Sequence, residues 1–388
     1  MHKRIYLDHN ATTPVSHQVL ETMLPYFKEY FGNASSIHSF GKEAKQALEK
    51  ARGHVAELIN CEHSEIVFTS GGTESDNFAV FGIVKANRSK GNHIITSQIE
   101  HHAILNPCKV LEREGYEVTY LPVDEYGIVN LNELKAAIKD TTILISIMAA
   151  NNEIGTIQPL EEIGSIASTN GIFFHSDAVQ AAGKIPLDVK KLKIDMASLS
   201  SHKIYGPKGV GALYVRKGIK IFPLQYGGHH EHNKRAGTEN ISGIVGFGKA
   251  CELAKINMDK DNKYLLNLRE KLYNGITENI TDVSINGHPK KCLSGTISLS
   301  FKYIEGESIL LNLNDIGIAA SSGSACTSGS LEPSHVLLAL GISPLNAHGS
   351  IRFSIGRENT EEEIDYVIEH LPKIVKKLRN MSPLNKNV

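Results

Sequence analysis

Residues 65–96 read EIVFTSGGTESDNFAVFGIVKANRSKGNHIIT, a run whose hydrophobic pattern changes period twice. β-Branched and apolar residues predict a strand at 65–69, the amphipathic pattern at 73–86 predicts a helix, and residues 93–96 predict a second strand. Strand, helix and strand in this order predict a crossover unit, in which the two strands lie parallel in one sheet. Ligands of such sheets bind at the carboxyl ends of the strands, so the residues after each strand are the first candidates for a site.

The same alternation extends from about residue 39 to residue 215. It predicts a mostly parallel sheet that is flanked by helices. Further strands are predicted at 117–121, 142–148, 172–175, 195–200 and 210–215, with helices at 103–114, 131–138 and 160–169.

After a long amphipathic stretch at 241–279 the pattern changes. Strands at 296–301 and 350–355 now flank predicted helices at 306–313, 333–340 and 360–378, an order typical of a smaller α+β domain. We therefore predict an α/β fold. Its large domain covers residues 15–260, and its small α+β domain covers residues 1–14 and 261–388.

Composition and charge limit the classes of function. The chain has 388 residues with 41 basic and 42 acidic side chains, and its formal net charge of -1 gives no global attraction to nucleic acid or to an anionic membrane. No apolar run approaches the roughly 18 residues of a membrane span, and the apolar start is interrupted at Asp8 before a signal-peptide core could form. We expect a cytoplasmic protein. Five scattered cysteines without a C-x-x-C pair disfavour a disulfide framework and leave room for one reactive thiol.

Polar side chains of several chemical types follow the predicted strands. The turn SGGTE at 70–74 combines glycine backbone, a hydroxyl and a helix N-terminus, which together can bind a phosphate group. Lys203 follows a buried strand beside His202, where partial desolvation can lower its pKa as Schiff-base chemistry requires. His101 and Asp177 follow two other strands. Each residue alone is more commonly a helix cap or a solvated group, but their joint occurrence at one sheet edge predicts an active site.

Several segments resemble one enzyme family. They include YLDHNATTP (6–14), FTSGGTESDN (68–77), HSDAVQAAGKIPLD (175–188), SSHKIYGPKGVGALYVR (200–216) and SSGSACTSGSLEPSHVLLALG (321–341). The chain resembles the pyridoxal-phosphate-dependent cysteine desulfurases of the NifS/IscS type, which belong to the class V aminotransferases. The resemblance implies the fold of a fold-type I pyridoxal-phosphate-dependent transferase. It also implies conversion of L-cysteine to L-alanine, with transfer of the sulfur to an enzyme cysteine as a persulfide.

The resemblance implies a role for each of four residues around the cofactor. Lys203 is expected to attach covalently to pyridoxal phosphate and to move the substrate α-proton. Asp177 is expected to keep the pyridine nitrogen protonated so that the ring accepts electrons. His101 is expected to stack on the ring and to act in proton transfer, and Gln180 to hydrogen-bond the phenolic oxygen.

The resemblance also implies how the phosphate and the substrate are held. Asn152 and Arg352 are expected to bind the substrate, with the guanidinium gripping its carboxylate as a planar fork. The residues implied in phosphate binding are Gly72, Thr73, Ser200, His202 and, reaching in from a partner subunit of a homodimer, Thr238.

Cys326 is implied as the catalytic thiol, carried on a loop at 321–332 of the small domain. Because the thiolate is the nucleophile, a nearby imidazole is expected to help deprotonate it. The long form of this loop resembles the family branch that serves iron–sulfur assembly. An IscU/NifU-like scaffold protein is thus the implied sulfur acceptor, and tRNA thiolation is a second implied destination of the sulfur.

Other interpretations compete with this one. Residues 243–249 have the G-x(4)-G-K spacing of a nucleotide-binding loop, but Ala250 replaces the Ser or Thr that binds magnesium, and no strand precedes the glycines. His229, His230 and His232 could suggest zinc, yet adjacent histidines on an irregular loop cannot all face one ion, so we predict no metal site. A selenocysteine lyase, a class V aminotransferase and a catalytically silent sulfur-transfer scaffold stay open as alternatives.

Overall fold

A seven-stranded sheet forms the centre of the larger part of the molecule. The structure is a computed structural model that describes residues 4–322 and 332–383. With elements numbered along the chain, the strands lie in the order β2 (Ile66–Thr69), β8 (Gly211–Val215), β7 (Met196–Ser200), β6 (Phe173–Asp177), β5 (Thr142–Ser146), β3 (His93–Ser97) and β4 (Glu117–Leu121). β8 runs antiparallel to both of its neighbours, and the other adjacent pairs are parallel.

Helices cover both faces of this sheet, which explains why its strands are apolar at successive positions. Ile94 and Leu144 point into a cluster with α4 (Gly72–Ala86) and α5 (His102–Arg113), whereas the next residues, Ile95 and Ile145, enter a second cluster with α3 (Ser39–Ile59), α7 (Leu160–Thr169) and α8 (Ile241–Asn279). The helices of this part are α1 (His17–Met23), α2 (Pro25–Lys28), α3 (Ser39–Ile59), α4 (Gly72–Ala86), α5 (His102–Arg113), α6 (Leu131–Ala137), α7 (Leu160–Thr169) and α8 (Ile241–Asn279).

The smaller part is built on a three-stranded antiparallel sheet with β10 at its centre. A two-residue parallel pair joins the first strand of the chain to this part, with Ile5 opposite Ile318. α8 enters both parts, because Leu268, Leu272 and Ile276 pack in the core of the smaller one. Its elements are β1 (Ile5–Tyr6), β9 (Val283–Asn286), β10 (Thr296–Phe301), β11 (Ile318–Ala319), β12 (Ser350–Ser354), α9 (Gly306–Asp315), α10 (His335–Ala339), α11 (Pro344–His348) and α12 (Glu361–Met381). Among the described residues, no helix carries an apolar stretch long enough to cross a bilayer.

The predicted fold class is confirmed, with a mostly parallel sheet and a smaller antiparallel one. The strand predicted at 142–148 ends two residues early, because the N–H of Met148 turns to the carboxylate of Glu100 at 3.0 Å. The helix predicted at 333–340 begins at His335, because the Ser334 hydroxyl caps it by accepting from the N–H of Leu337. The proposed domain boundaries stay a prediction.

The glycines of residues 243–249 lie within helix α8 and not in a nucleotide-binding loop. A Cβ added to Gly248 would lie 2.6 Å from Cα of Ala51 on α3, and one added to Gly246 would lie 2.5 Å from the sulfur of Met23. These glycines therefore allow α8 to approach α1 and α3 closely, which explains the spacing without a nucleotide.

Replacing Gly248 by alanine should destabilise the protein by about 1–3 kcal/mol, because the new methyl group overlaps the backbone of α3. Urea denaturation measures this free energy of unfolding, and Lys260→Ala, at an exposed position of the same helix, is the control. Helix propensity alone predicts the opposite sign, a gain of up to about 1 kcal/mol. A more stable Gly248→Ala variant would contradict the packing account.

Candidate active site

A cleft with about 1000 Å³ of empty space opens at the carboxyl ends of the parallel strands. Asp177 is the last residue of β6 and Ser200 the last of β7, while Gly72 begins the helix that follows β2. Of the residues predicted from the sequence, the cleft brings together Gly72, Thr73, His101, Asn152, Asp177, Gln180, Ser200, His202, Lys203 and Arg352.

Lys203 ends a short 3-10 turn, Ser201–Lys203, directly after β7. Its Nζ donates to the backbone carbonyl oxygens of Asn10 at 2.5 Å and Ala11 at 2.8 Å, so the amine is held at a fixed place in the cleft. Burial and the charge of Lys203 lower the pKa values of His101 and His202 to about 4. Both imidazoles are therefore neutral at pH 7, and Nδ1 of His101 accepts from the N–H of Ala103 at 3.1 Å.

Two buried carboxyl groups share the floor of the cleft. Burial raises the pKa of Asp177, while the N–H of Val179 at 2.9 Å and the charge of Lys203 oppose that rise. Asp76, which lies one turn into α4, is 1% exposed, and burial and the nearby Asp177 raise its pKa further. Because two adjacent buried carboxyls do not both ionise, Asp76 holds the proton and Asp177 carries the charge. Asp76 was not predicted from the sequence, although it lies four residues after Gly72 on the same helical face.

An anion-binding seat lies at the start of α4. A Cβ at Gly72 would come within 2.7 Å of Cγ2 of Val179, so only glycine lets the backbone approach the cleft here. The hydroxyl of Ser200 is buried and has no hydrogen-bond partner within the described part of the chain. Unpaired N–H groups at the helix start and an unsatisfied hydroxyl are the groups that bind a phosphate.

Arg352 supplies a fixed guanidinium at the other side of the cleft. It is 2% exposed on β12, and its Nη2 donates to Oδ1 of Asp8 at 2.7 Å while its Nη1 donates to the carbonyl of Asn152 at 2.9 Å. Its Nε is buried without a partner among the described residues. This arrangement suits the carboxylate of a small acid, since the guanidinium is already oriented before binding.

Two of the segments singled out in the sequence, at Thr238 and at residues 229–232, do not line the cleft, and a third predicted residue is not described. Thr238 is exposed and does not line the cleft of its own chain. Cys326 lies outside the described residues. In the histidine-rich segment, Nδ1 of His229 pairs with Oδ1 of Asn233 at 2.6 Å, and residues 4–322 and 332–383 contain no group of three side chains placed to hold a metal ion.

Comparison with known proteins identifies the class. Residues 5–367 match the class-V aminotransferase family, and the chain belongs to that family. A relative from Methanosarcina thermophila, named cysteine desulfurase IscS, is 59% identical over 98% of this chain and 94% of its own length. The cysteine desulfurase IscS of Clostridium botulinum strain Hall is 55% identical over 99% of this chain and 97% of its own. A solved NifS-like protein superposes with a TM-score of 0.92 at 41% identity, over 97% of this chain and all of that one.

Within the family, the chain is an enzyme of the cysteine desulfurase kind, which uses pyridoxal phosphate. The cleft fits that cofactor. The seat at Gly72, with the unsatisfied Ser200 hydroxyl, matches its phosphate, and the ionised Asp177 matches its ring nitrogen. Lys203 provides the amine that its aldehyde requires.

Asp177→Asn should bind the cofactor yet lose about 100-fold in turnover, because an uncharged amide cannot hold a proton on the ring nitrogen. The matched control is Asp76→Asn, which should keep near-normal turnover because an amide imitates a carboxyl that is already protonated. Steady-state release of alanine from cysteine compares the two variants. If both lost activity equally, the assignment of the charge to Asp177 would be wrong.

Proposed function

We propose that the chain converts L-cysteine to L-alanine, passes the sulfur to its own Cys326 and supplies it for iron–sulfur cluster assembly. The observation that carries this proposal is a single cleft that combines an amine, an ionised carboxylate, an anion seat and a fixed guanidinium. A sulfur-binding scaffold without catalysis would need neither Lys203 nor Asp177 in this arrangement.

The proposed chemistry divides the work between cofactor and chain. Pyridoxal phosphate, when bound, supplies an aldehyde for the substrate amine and a ring that withdraws electrons from the adjacent carbon. Lys203, held by two backbone carbonyls, is placed to take and return the α-proton. Asp177 would supply the negative charge that keeps a proton on the ring nitrogen of the bound cofactor. His101 is neutral because burial and Lys203 lower its pKa to about 4, and it is proposed to stack on the ring and to act in proton transfer in the same cleft.

Substrate orientation comes from Arg352 and Asn152. Asp8 and the carbonyl of Asn152 hold the guanidinium on two sides, so that a substrate carboxylate meets a donor that needs no reorganisation. A small amino acid with one free carboxylate is the class of substrate that this arrangement suits.

The other cysteines support the choice of Cys326 as sulfur acceptor. Burial raises the pKa values of Cys61 and Cys108 to about 12, and it raises those of Cys251 and Cys292 above the ordinary value. Thiols with raised pKa values contain little thiolate at neutral pH and are poor nucleophiles. Cys326 is therefore assigned from the family resemblance, with the four described cysteines as poor competitors.

We also propose a homodimer in which Thr238 of each subunit completes the phosphate seat of the other. An exposed apolar patch at residues 20–40 supports the homodimer, because a second subunit could bury it: Phe27, Phe31 and Ile37 are 60%, 66% and 91% exposed. An IscU/NifU-like scaffold protein is the proposed acceptor of the sulfur. We assign the protein to the cytoplasm, because a thiol nucleophile must stay reduced.

Cys326→Ser should bind pyridoxal phosphate and cysteine normally but release neither sulfide nor more than traces of alanine. A serine hydroxyl has a pKa far above neutrality and little affinity for sulfur. Sulfide and alanine assays with a reductant measure the effect, and Cys292→Ser is the matched control. Wild-type sulfide release by Cys326→Ser would overturn the proposed function, and activity on selenocysteine alone would indicate a selenocysteine lyase.

Mixed dimers test the shared sites. Lys203→Ala and Thr238→Ala should each be nearly inactive alone, and co-refolding equal amounts should restore about a quarter of wild-type activity, since half the dimers then carry one intact site of two. Light scattering during the assay fixes the oligomeric state. A fully active monomer, or no recovery in verified mixed dimers, would exclude the shared arrangement.

A further inference from the structure

Lys184 lies on the turn that follows β6, outside the residues assigned above to the cofactor. Its Nζ donates to Oε1 of Gln180 at 2.8 Å and lies 3.4 Å from Oδ1 of Asn10. Gln180 and Asn10 line the active cleft, whereas Lys184 forms part of the wall of a second cavity behind it. Lys184 does not itself line the cleft, but it contacts two side chains that do, those of Gln180 and Asn10.

The hydrogen bonds around Gln180 determine which end of its amide faces each neighbour. Nζ of Lys184 donates, so the amide oxygen must face it. The carbonyl of Asn10 can only accept, so the amide nitrogen, at 2.9 Å, must face that side. The two requirements agree, and they leave the second N–H of the Gln180 amide for a ligand in the cleft.

We propose that Lys184 is a positioning residue that holds the Gln180 amide so that it presents an N–H, and not its oxygen, to the cofactor. The group that such a donor recognises is an anionic oxygen on the ring, which makes the phenolic oxygen of pyridoxal phosphate its partner. Without Lys184 the amide can turn about its last bond, and its oxygen would then repel the phenolic oxygen. The inference rests on the proposed cofactor site.

The protonation state of Lys184 does not alter the orientation of the Gln180 amide. Burial and the nearby cations lower the pKa of Lys184 to about 7. Protonated or not, its nitrogen keeps at least two N–H groups, one for each of the oxygens of Gln180 and Asn10. The charged or titratable groups around it are Lys203, Arg352, His9 and His202, together with Arg357 and Asp261 of the same cavity wall.

The test titrates the apoenzyme with pyridoxal phosphate and follows the visible band of the bound cofactor against pH. Lys184→Met should bind the cofactor about tenfold more weakly, the effect of losing one hydrogen bond to a charged group. The pH midpoint of the band should rise by on the order of one unit, because a cation and a donor near the phenolic oxygen are lost. Lys184→Arg should restore most of both losses. Lys190→Met, at an exposed lysine of the same segment, is the control and should match the wild type.

A double-mutant cycle separates positioning from general support of the fold. If Lys184 acts through Gln180, then Lys184→Met should weaken cofactor binding no further in a Gln180→Ala background. Fully additive losses would overturn the proposal, as would a Lys184→Met variant with wild-type affinity and midpoint. If Lys184→Met does not fold, Lys184→Gln replaces it: its neutral N–H donor can still hold the Gln180 oxygen, so cofactor affinity should stay close to that of the wild type, and a tenfold loss of affinity would overturn the proposal.

The same titration distinguishes this inference from the proposed function. If the wild type and Lys190→Met bind no pyridoxal phosphate, the proposed cofactor site itself is wrong. If both bind it and Lys184→Met also has the affinity and midpoint of the wild type, the positioning role is rejected while the proposed cofactor site stands.

Discussion

The active site depends on hydrogen bonds that the backbone carbonyl of Asn10 accepts. It accepts from Nζ of Lys203 and from Nε2 of Gln180, two groups of the larger part of the molecule. The N–H of Asn10 donates to the Ser354 hydroxyl, and its side chain donates to the Thr296 hydroxyl, both in the smaller part. One residue near the start of the chain thus connects both sheets to the amine of the reaction. A shift of either sheet would change the surroundings of Lys203.

Charge in the cleft is arranged before any ligand arrives. Arg352 has Asp8 beside it, and the charge on Asp177 is maintained because Asp76 holds a proton. His101 remains neutral close to Lys203. Dipoles and charges that are already oriented do not have to reorganise during a reaction, which is the main electrostatic advantage of an enclosed site. The unfavourable term is the desolvation of several ionisable groups that are buried close together.

The local sequence pattern predicted an element best where neighbouring residues determine its ends. The strand at 117–121 and the helices at 160–169 and 241–279 have the predicted bounds, because turn residues and caps next to them set their limits. Long-range contacts were not predictable in this way. β5 ends at Ser146 because Glu100, distant in sequence, accepts from the N–H of Met148. The two-residue strand β1 has no periodicity to detect.

The residues of the candidate site also divide into those that local sequence predicts and those that only long-range contacts reveal. Lys203, Asp177 and Gly72 could be predicted because each lies at the end of a strand or within three residues after it, and the strand ends converge by topology. Asp76 and Lys184 were missed, because an acid within a helix and a lysine in a turn look like ordinary surface residues. Only the fold shows that one is buried against Asp177 and that the other holds Gln180.

The pairing of β1 with β11 has a consequence for the order of assembly during synthesis. Ile5 leaves the ribosome more than 300 residues before its partner Ile318, so the segment that carries Asn10 cannot be fixed by this pairing until Ile318 has been made. At about 5–20 residues per second, that delay is tens of seconds. The anion seat and Lys203 emerge well before it ends. A nascent chain can therefore display the phosphate-binding turn while its lysine still lacks the Asn10 carbonyl, and the mature cofactor site forms only after translation is nearly complete.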